Sequence, residues 1–371
     1  MDLAEADPDG AGAGDDRHAL TARREDPAGA VAGGREDRMD QQAWTRVVEA
    51  ATRAPSIHNT QPWLFAVDGD RLTVRTDPAR ALRALDPSGR QRVVSCGVAV
   101  EFAVVALTAA GQVTEVELLP DPADPDLLAT VTVTGAAEPD EEDLALAAAI
   151  PARHTERAPF LPQAVPDEVV DRLQAVAAAF RVWLKPISSE DEHVTTTYLV
   201  ARAEEIEQGE PGYLEELRSW MRTDPGAVDG IPVGAVPGED PATRPSDWLI
   251  RDFVVGSRPA GGGRAGGDPD APPPDVERPA VVLMGTDGDD RAAWLTAGRA
   301  LARVLLEATT AGLAASPLTQ ALDWPATRAQ LRSRLSLIGH PQMLLRLGHP
   351  AGDRTPSTNR RPVSEVLTFA G

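Results

Sequence analysis

Residues 95–111, SCGVAVEFAVVALTAAG, can be laid over residues 296–312, TAGRALARVLLEATTAG, without a gap. Gly97 then falls on Gly298, Ala99 on Ala300, Thr108 on Thr309 and Gly111 on Gly312. Both stretches read as small-residue helices, and each ends on a glycine where a left-handed cap residue is expected. Small-residue helices are common, so the overlay leaves two readings open. One is coincidence. The other is a chain made of two copies of one fold, packed about a pseudo-twofold axis. On the second reading the small side chains let the two helices approach closely.

Working outward, apolar periodicity predicts helices over about 40–53, 91–110, 140–149, 167–178, 189–208, 213–221, 290–311 and 325–335. Strands are expected at 63–67 (WLFAV), 71–75 (RLTVR), 113–118, 128–134, 181–185, 279–285 (PAVVLMG) and 341–347 (PQMLLRL). Helices alternating with strands indicate a mixed architecture, and the fold class is expected to be α+β. Residues 1–39 are rich in Asp, Glu, Gly and Ala with no hydrophobic period, and read as a disordered acidic tail. Residues 257–275, SRPAGGGRAGGDPDAPPPD, read as a flexible loop.

The 371 residues are 42% hydrophobic and carry 36 basic against 57 acidic side chains, a net charge of −21. That balance argues against nucleic acid or an anionic membrane as a partner. No apolar run is read as reaching the ~18–20 residues of a membrane span. The acidic N-terminus lacks an apolar export signal, so a cytoplasmic protein is expected. Cys96 is the sole cysteine, which excludes an internal disulfide. Lys185 is the sole lysine, so a bound phosphate would have to be held by arginine. The six histidines show no metal-ligand spacing, and the glycine clusters at 10–14 and 261–267 do not sit between a strand and a helix as a dinucleotide loop would.

Four segments carry candidate chemistry. In RAPSIHNTQPW (53–63), Pro55 and Pro62 bracket a loop in which Ser56, Asn59 and Gln61 offer groups that donate and accept at fixed geometry. Such a loop suits the edge of a planar heterocycle, or serves as a polar cap between a helix and a strand; His58 alone reads as structural. In RHTERAPF (153–160), an extended backbone puts Arg153, Thr155 and Arg157 on one side. Two guanidinium forks and a hydroxyl make a phosphate site; an exposed basic turn is the other reading. TNRRPVSEVL (358–367) adds Arg360 and Arg361 ahead of an amphipathic tail. AGLAASPLTQAL (311–322) follows a helix end with an irregular apolar stretch that could lie flat against a ring, or be a buried connection.

These four segments, in this order, resemble the flavin-dependent nitroreductase family, and in particular its Acg-like branch of fused, double-length members. APSIHNTQPW is similar to the family's Pro-Ser-x-x-Asn-x-Gln-Pro-Trp loop, RHTERAPF to its arginine-rich phosphate motif, NRRPVSEVL to its C-terminal segment, and AGLAASPL to the stretch lining the flavin. The resemblance spans about residues 40–371 apart from the loop near 257–275. It implies a first half over 40–150 and a second over 151–371, one chain supplying both sides of an FMN site. Ser56, Ile57, Asn59 and Gln61 would meet the ring system. Arg153, Thr155 and Arg157 would hold the phosphate, helped by Arg360 and Arg361. Ser316, Pro317 and Leu318 would pack on the ring.

The chain departs from the family in three places. No arginine motif precedes the first-half loop, which implies one FMN rather than two. Residues 209–256 form an insertion whose Trp220, Trp248 and Phe253 could act as a lid over the flavin face, or simply anchor a loop. The lysines that ordinary members place beside the flavin are missing. The expected function is an oxidoreductase moving hydride from NAD(P)H through FMN to a nitroaromatic, a quinone or a similar small acceptor. The other readings are a lidded FMN-sequestering protein with little turnover, and a flavin-free protein acting through its acidic tail. No side chain is assigned a catalytic role of its own, since FMN would carry the chemistry; a single working chain is expected, with further pairing of chains left open.

Overall fold

The computed structural model describes residues 39–233, 276–351 and 358–370. Residues 1–38 of the expected tail (1–39), the loop at 257–275 and the lid candidates Trp248 and Phe253 lie outside the described residues.

The first half runs α1 (Gln41–Thr52), β1 (Trp63–Asp68), β2 (Arg71–Thr76), α2 (Arg90–Ala109), β3 (Gln112–Leu118) and β4 (Leu127–Ala136), followed by α3 (Glu141–Ala152). The second runs α4 (Asp167–Ala179), β5 (Trp183–Pro186), α5 (Glu190–Gly209), α6 (Pro211–Trp220), β6 (Met221–Arg222), β7 (Ile231–Pro232) and β8 (Ala280–Thr286). It continues through α7 (Arg291–Thr310), β9 (Ala314–Pro317), α8 (Gln320–Asp323), α9 (Pro325–Arg334) and β10 (His340–Gly348), and closes with α10 (Val363–Val366) and β11 (Leu367–Phe369).

Set the extra elements aside and the two halves repeat one topology. The first sheet orders its strands β1-β2-β4-β3 and the second β5-β8-β10-β9, each pair antiparallel. Helix α1 packs on α2 as α4 packs on α7. Within the second half, α5, α6, β6 and β7 enter between β5 and β8, and α8 and α9 between β9 and β10.

Helices α2 and α7 lie against each other at the centre, and their crossing explains the repeated glycines. A Cβ on Gly97 would stand 2.4 Å from the Leu295 carbonyl oxygen, and one on Gly298 would stand 2.2 Å from that of Val94. In the gapless overlay Val94 corresponds to Leu295, so each glycine meets the counterpart of what the other meets. Both helices also end alike: Gly111 and Gly312 have φ of +78° and +75°, and their N–H groups reach Thr108 and Thr309. A β-carbon at such a φ is strained, which is why glycine closes both helices.

Helix α2 is apolar nearly all round and buried along most of its length, the expected state of a core helix. By length and composition it is nonetheless long enough to cross a membrane, which the run-length reading of the sequence missed; 72% of its most apolar window is buried inside the protein.

One feature departs from a division at residue 150, and another from the irregular stretch expected after Gly312. The last strand, β11, leaves the second half and adds to the first sheet parallel to β1, with Phe65 opposite Leu367 and Val67 opposite Phe369. The tail read as amphipathic is therefore a strap. The stretch after Gly312, read as irregular, is the edge strand β9, paired to β10 from Ala314 to Pro317; Pro317 at its end fits the rule that proline stays at sheet margins.

Candidate cofactor site

A cavity opens where the two halves meet. One end of it is built from arginines. Arg53 follows α1, Arg153 follows α3, and Arg157, Thr155 and Arg360 complete that part of the wall. The extended reading of 153–157 holds locally: Thr155 forms a parallel bridge to Ala315, and Glu156 N–H donates to the Ala315 carbonyl at 2.9 Å. Glu156 turns inward, buried, and its carboxylate accepts from the N–H groups of Arg157 and Ala158 at 2.9 Å each.

Burial pushes the Arg153 guanidinium down to about 10, and its Nε is buried with no partner among the described residues. Arg360 is pushed down to about 9, first by burial and then by the like charges of Arg153 and Arg53. Arg157 is lowered by burial against the opposing pull of Glu156. Among the described residues no carboxylate forms an ion pair with Arg53, Arg153 or Arg360. Guanidinium groups shed their protons only at extreme pH, so an anion is what can relieve this crowding. Inorganic phosphate at 100 times its Kd should stabilise the ligand-free protein by about 2.7 kcal/mol, read as a rise in Tm. The Arg153→Ala variant should show no such rise.

Arg360 has a second task. Its Nε donates to the Thr52 carbonyl at 2.8 Å and its Nη2 reaches those of Arg53 and Ala54 at 3.3 Å each. These are carbonyls at the end of α1, where a cation is favoured. Arg360 thus ties the C-terminal strap to α1 while adding charge to the pocket.

The rest of the wall is mainly apolar. Val94 and Val98 come from α2, Leu301 and Leu305 from α7, Ile150 and Pro151 from α3, Met343 and Leu345 from β10, and Ala315, Ser316 and Pro317 from β9. Ser56, Ile57, His58 and Asn59 form the remaining side. Their backbone is unusual, with φ of +47° at His58, +54° at Asn59 and +50° at Gln61. Left-handed non-glycine residues cost of order 1–3 kcal/mol each, so the loop needs external support. Ser56 Oγ accepts from Gln61 N–H at 2.9 Å, and Ser95 Oγ accepts from Ile57 N–H at 3.3 Å. Asn59 Nδ2 donates to the carbonyls of Gly230 at 3.1 Å and Asn359 at 3.3 Å. Gln61 Nε2 donates to Val228 O at 2.8 Å, while its Oε1 accepts from Arg361 N–H at 2.8 Å.

These bonds revise four expectations. Gln61, fully buried, staples the loop to the insertion and to the strap and does not line the cavity. Arg361 faces away, toward Asp77 and Glu365 at 3.4 Å each. Leu318 lies behind the wall, its N–H bonded to Leu344 O and its side chain in the apolar cluster beneath α5. Trp220 stands 5.9 Å from the Arg80 guanidinium and 5.4 Å from that of Arg222, anchoring the insertion and not covering the cavity. Of the insertion's described residues, Ile231 lines the wall. Ser56, Ile57, Asn59, Arg153, Thr155, Arg157, Ser316, Pro317 and Arg360 all reach the cavity, as read from sequence. Arg53 was missed, although it begins the RAPSIHNTQPW stretch; a cation just before the prolines was the signal.

The pseudo-symmetric position is closed. The overlay carries Val98 to Arg299, and Phe180 follows α4 as Arg53 follows α1. Arg299 lies 5.4 Å from the Phe180 ring and its Nε donates to Glu101 at 2.8 Å. Where one half opens a cavity, the other holds an ion pair under a ring.

A pocket with cations at one end and apolar walls, at the joint of two repeated α+β halves, defines a protein shaped to hold an anionic ligand with an apolar body. No family model matches the chain. It is similar to two Mycobacterium tuberculosis proteins that share the name "Putative NAD(P)H nitroreductase". One of them, Rv3131, is 38% identical over 326 residues, which cover 87% of this chain and 90% of that one. The other, acg, is 31% identical over 325 residues, 86% and 93% of the two chains. Among solved structures the chain is similar to the FMN-dependent nitroreductase NfnB from Mycobacterium smegmatis, solved in complex with NADPH. The match there is 17% identity at a TM-score of 0.39, covering 62% of this chain and all of that one. On its sequence relatives, the chain belongs to the NAD(P)H nitroreductase family.

Proposed function

We propose that this chain binds one FMN and acts as an NAD(P)H-dependent oxidoreductase on a nitroaromatic, a quinone or a similar small acceptor. The observation that carries the reading is the cluster of arginines at one end of an apolar-walled pocket, of which Arg53, Arg153 and Arg360 pair with no carboxylate among the described residues, in a chain of this family.

When bound, FMN supplies the two-electron chemistry between nicotinamide and acceptor. The protein supplies the rest. Arg153, Thr155 and Arg157 hold the phosphate, with Arg53 and Arg360 adding positive field. Val94 and Val98 on one side and Leu301 and Leu305 on the other confine the ring between the two halves. Ser316, Pro317 and the Ser56–Asn59 loop would border it, and Met343 and Leu345 would add apolar wall. No side chain is required as an acid or base for the hydride step itself.

In this reading one chain does what two subunits would do together, a fused pseudo-dimer, and Phe180, Arg299 and Glu101 close the symmetry-related position. A cytoplasmic location and a single working chain belong to the same reading.

The test is the visible absorbance of the purified full-length protein, with flavin counted per chain and NADPH then added without oxygen. A flavin band at one equivalent per chain, bleached by NADPH, is the expected result. A band that dithionite bleaches and NADPH does not would point to a sequestering protein. A colourless protein that FMN cannot load would sink the proposal.

A further inference from the structure

The segment carrying Arg153, Thr155 and Arg157 is itself held by a buried charge pair that neither the motif nor the cavity includes. Arg346, on β10, is fully buried, and its Nη1 donates to the Glu277 carboxylate, which is also buried. The second Glu277 oxygen accepts from Phe160 N–H at 2.7 Å. Arg346 Nη2 reaches the Ala158 carbonyl at 3.4 Å, and its guanidinium lies 4.8 Å from the Phe160 ring. Phe160 packs so tightly on Gly348 that a Cβ there would stand 2.5 Å from the ring. Downstream, Leu161 N–H donates to His349 O at 2.9 Å.

Buried ion pairs often stabilise a fold no better than apolar side chains of similar volume, so stability alone is a poor account of this one. Among the described residues, its polar contacts beyond the pair itself include two on one short segment. Glu277 fixes the backbone at Phe160, Arg346 reaches it at Ala158 and lies over the Phe160 ring, and Arg157 is the residue just before Ala158. Upstream, the same segment is fixed to Ala315 by Thr155 and Glu156. The backbone is thereby fixed on both sides of the cavity-lining Arg157.

We infer that Arg346 and Glu277 are positioning residues for the phosphate end of the pocket, setting where the 153–157 arginines stand and so the preference for a phosphorylated ligand. The inference rests on the FMN reading and asks more of it: the pair should affect recognition of the phosphate and leave recognition of the ring unchanged.

The experiment titrates FMN and riboflavin, which shares the ring and lacks the phosphate, into flavin-free full-length protein. The variants are Arg346→Lys and the double replacement Arg346→Met with Glu277→Leu. The double variant removes both charges and leaves neither buried alone. It should keep its Tm within a few degrees, lose ~10-fold or more in FMN affinity, and bind riboflavin within ~2-fold of the natural chain. Arg346→Lys keeps the charge without the fork and should fall between. Equal losses for both ligands in both variants would make the pair merely structural, and unchanged FMN affinity would overturn the inference outright. Should the double variant fail to fold, Arg346→Lys alone decides by the same FMN-to-riboflavin ratio. If the unaltered protein binds neither ligand, the FMN reading itself fails, an outcome distinct from a lost preference.

Discussion

Replacing Arg153 and Arg157 together by alanine should weaken FMN binding by roughly 10²- to 10⁴-fold, while Arg153→Ala alone should weaken it less and leave the flavin-free protein as stable as before or more so. The size follows from charged hydrogen bonds, worth about 1.5–3 kcal/mol each, at about 1.4 kcal/mol per factor of ten. The stability half of the expectation is what makes the test sharp. Arg153 is held in its place with a buried Nε that has no partner among the described residues, and desolvation is the cause of its lowered pKa. An empty pocket therefore carries the cost of crowded positive charge, and truncating Arg153 removes part of it. A phosphate site predicts opposite signs for the two measurements. A structural basic turn predicts the same sign for both, with the Tm of the flavin-free protein falling as affinity falls. Unchanged FMN affinity would place the phosphate elsewhere. Isothermal titration and thermal melts of the same preparation give both numbers.

The contrast between these arginines and the neighbouring polar loop shows what the sequence could and could not convey. The alternation Arg153, Thr155, Arg157 is local, and a two-residue period survives whatever the segment pairs with; here it pairs with β9. Asn59 and Gln61 are equally suggestive by type, yet the structure spends their amides on Gly230, Val228, Asn359 and Arg361. Those partners lie far along the chain, and nothing in an eleven-residue window announces them. Trp220 fails for the same reason: an aromatic in an insertion looks like a lid until Arg80 and Arg222 close on its ring. The main helices and strands were legible because period and length are properties of the segment. Two short edge strands were not. β9 and β11 are 4 and 3 residues long and owe their existence to β10 and β1.

The repeated glycines stand between these cases, because the overlay was visible and its consequence was not. Gly97→Ala and Gly298→Ala should each cost roughly 3 kcal/mol, the upper end of the usual range for overpacking. The atoms in the way are backbone carbonyls, 2.4 Å and 2.2 Å from the added Cβ, and they have no rotamer to move into. Relief requires α2 and α7 to separate. Since the crossing is reciprocal, the two single variants should match within about 0.5 kcal/mol, and the double variant should cost less than their sum, because one separation makes room for both methyl groups. Separation should also reach the pocket: Val94 and Val98 flank Gly97, and Leu301 lies one turn beyond Gly298, so FMN affinity should fall in each variant. Urea unfolding of the two single variants and the double gives the cycle. Unequal single variants, or strictly additive costs, would mean the overlay is a coincidence of small residues. Equal and non-additive costs would mean the two helices share one crossing as a pair of like subunits does, and that the pocket on one side of it depends on both.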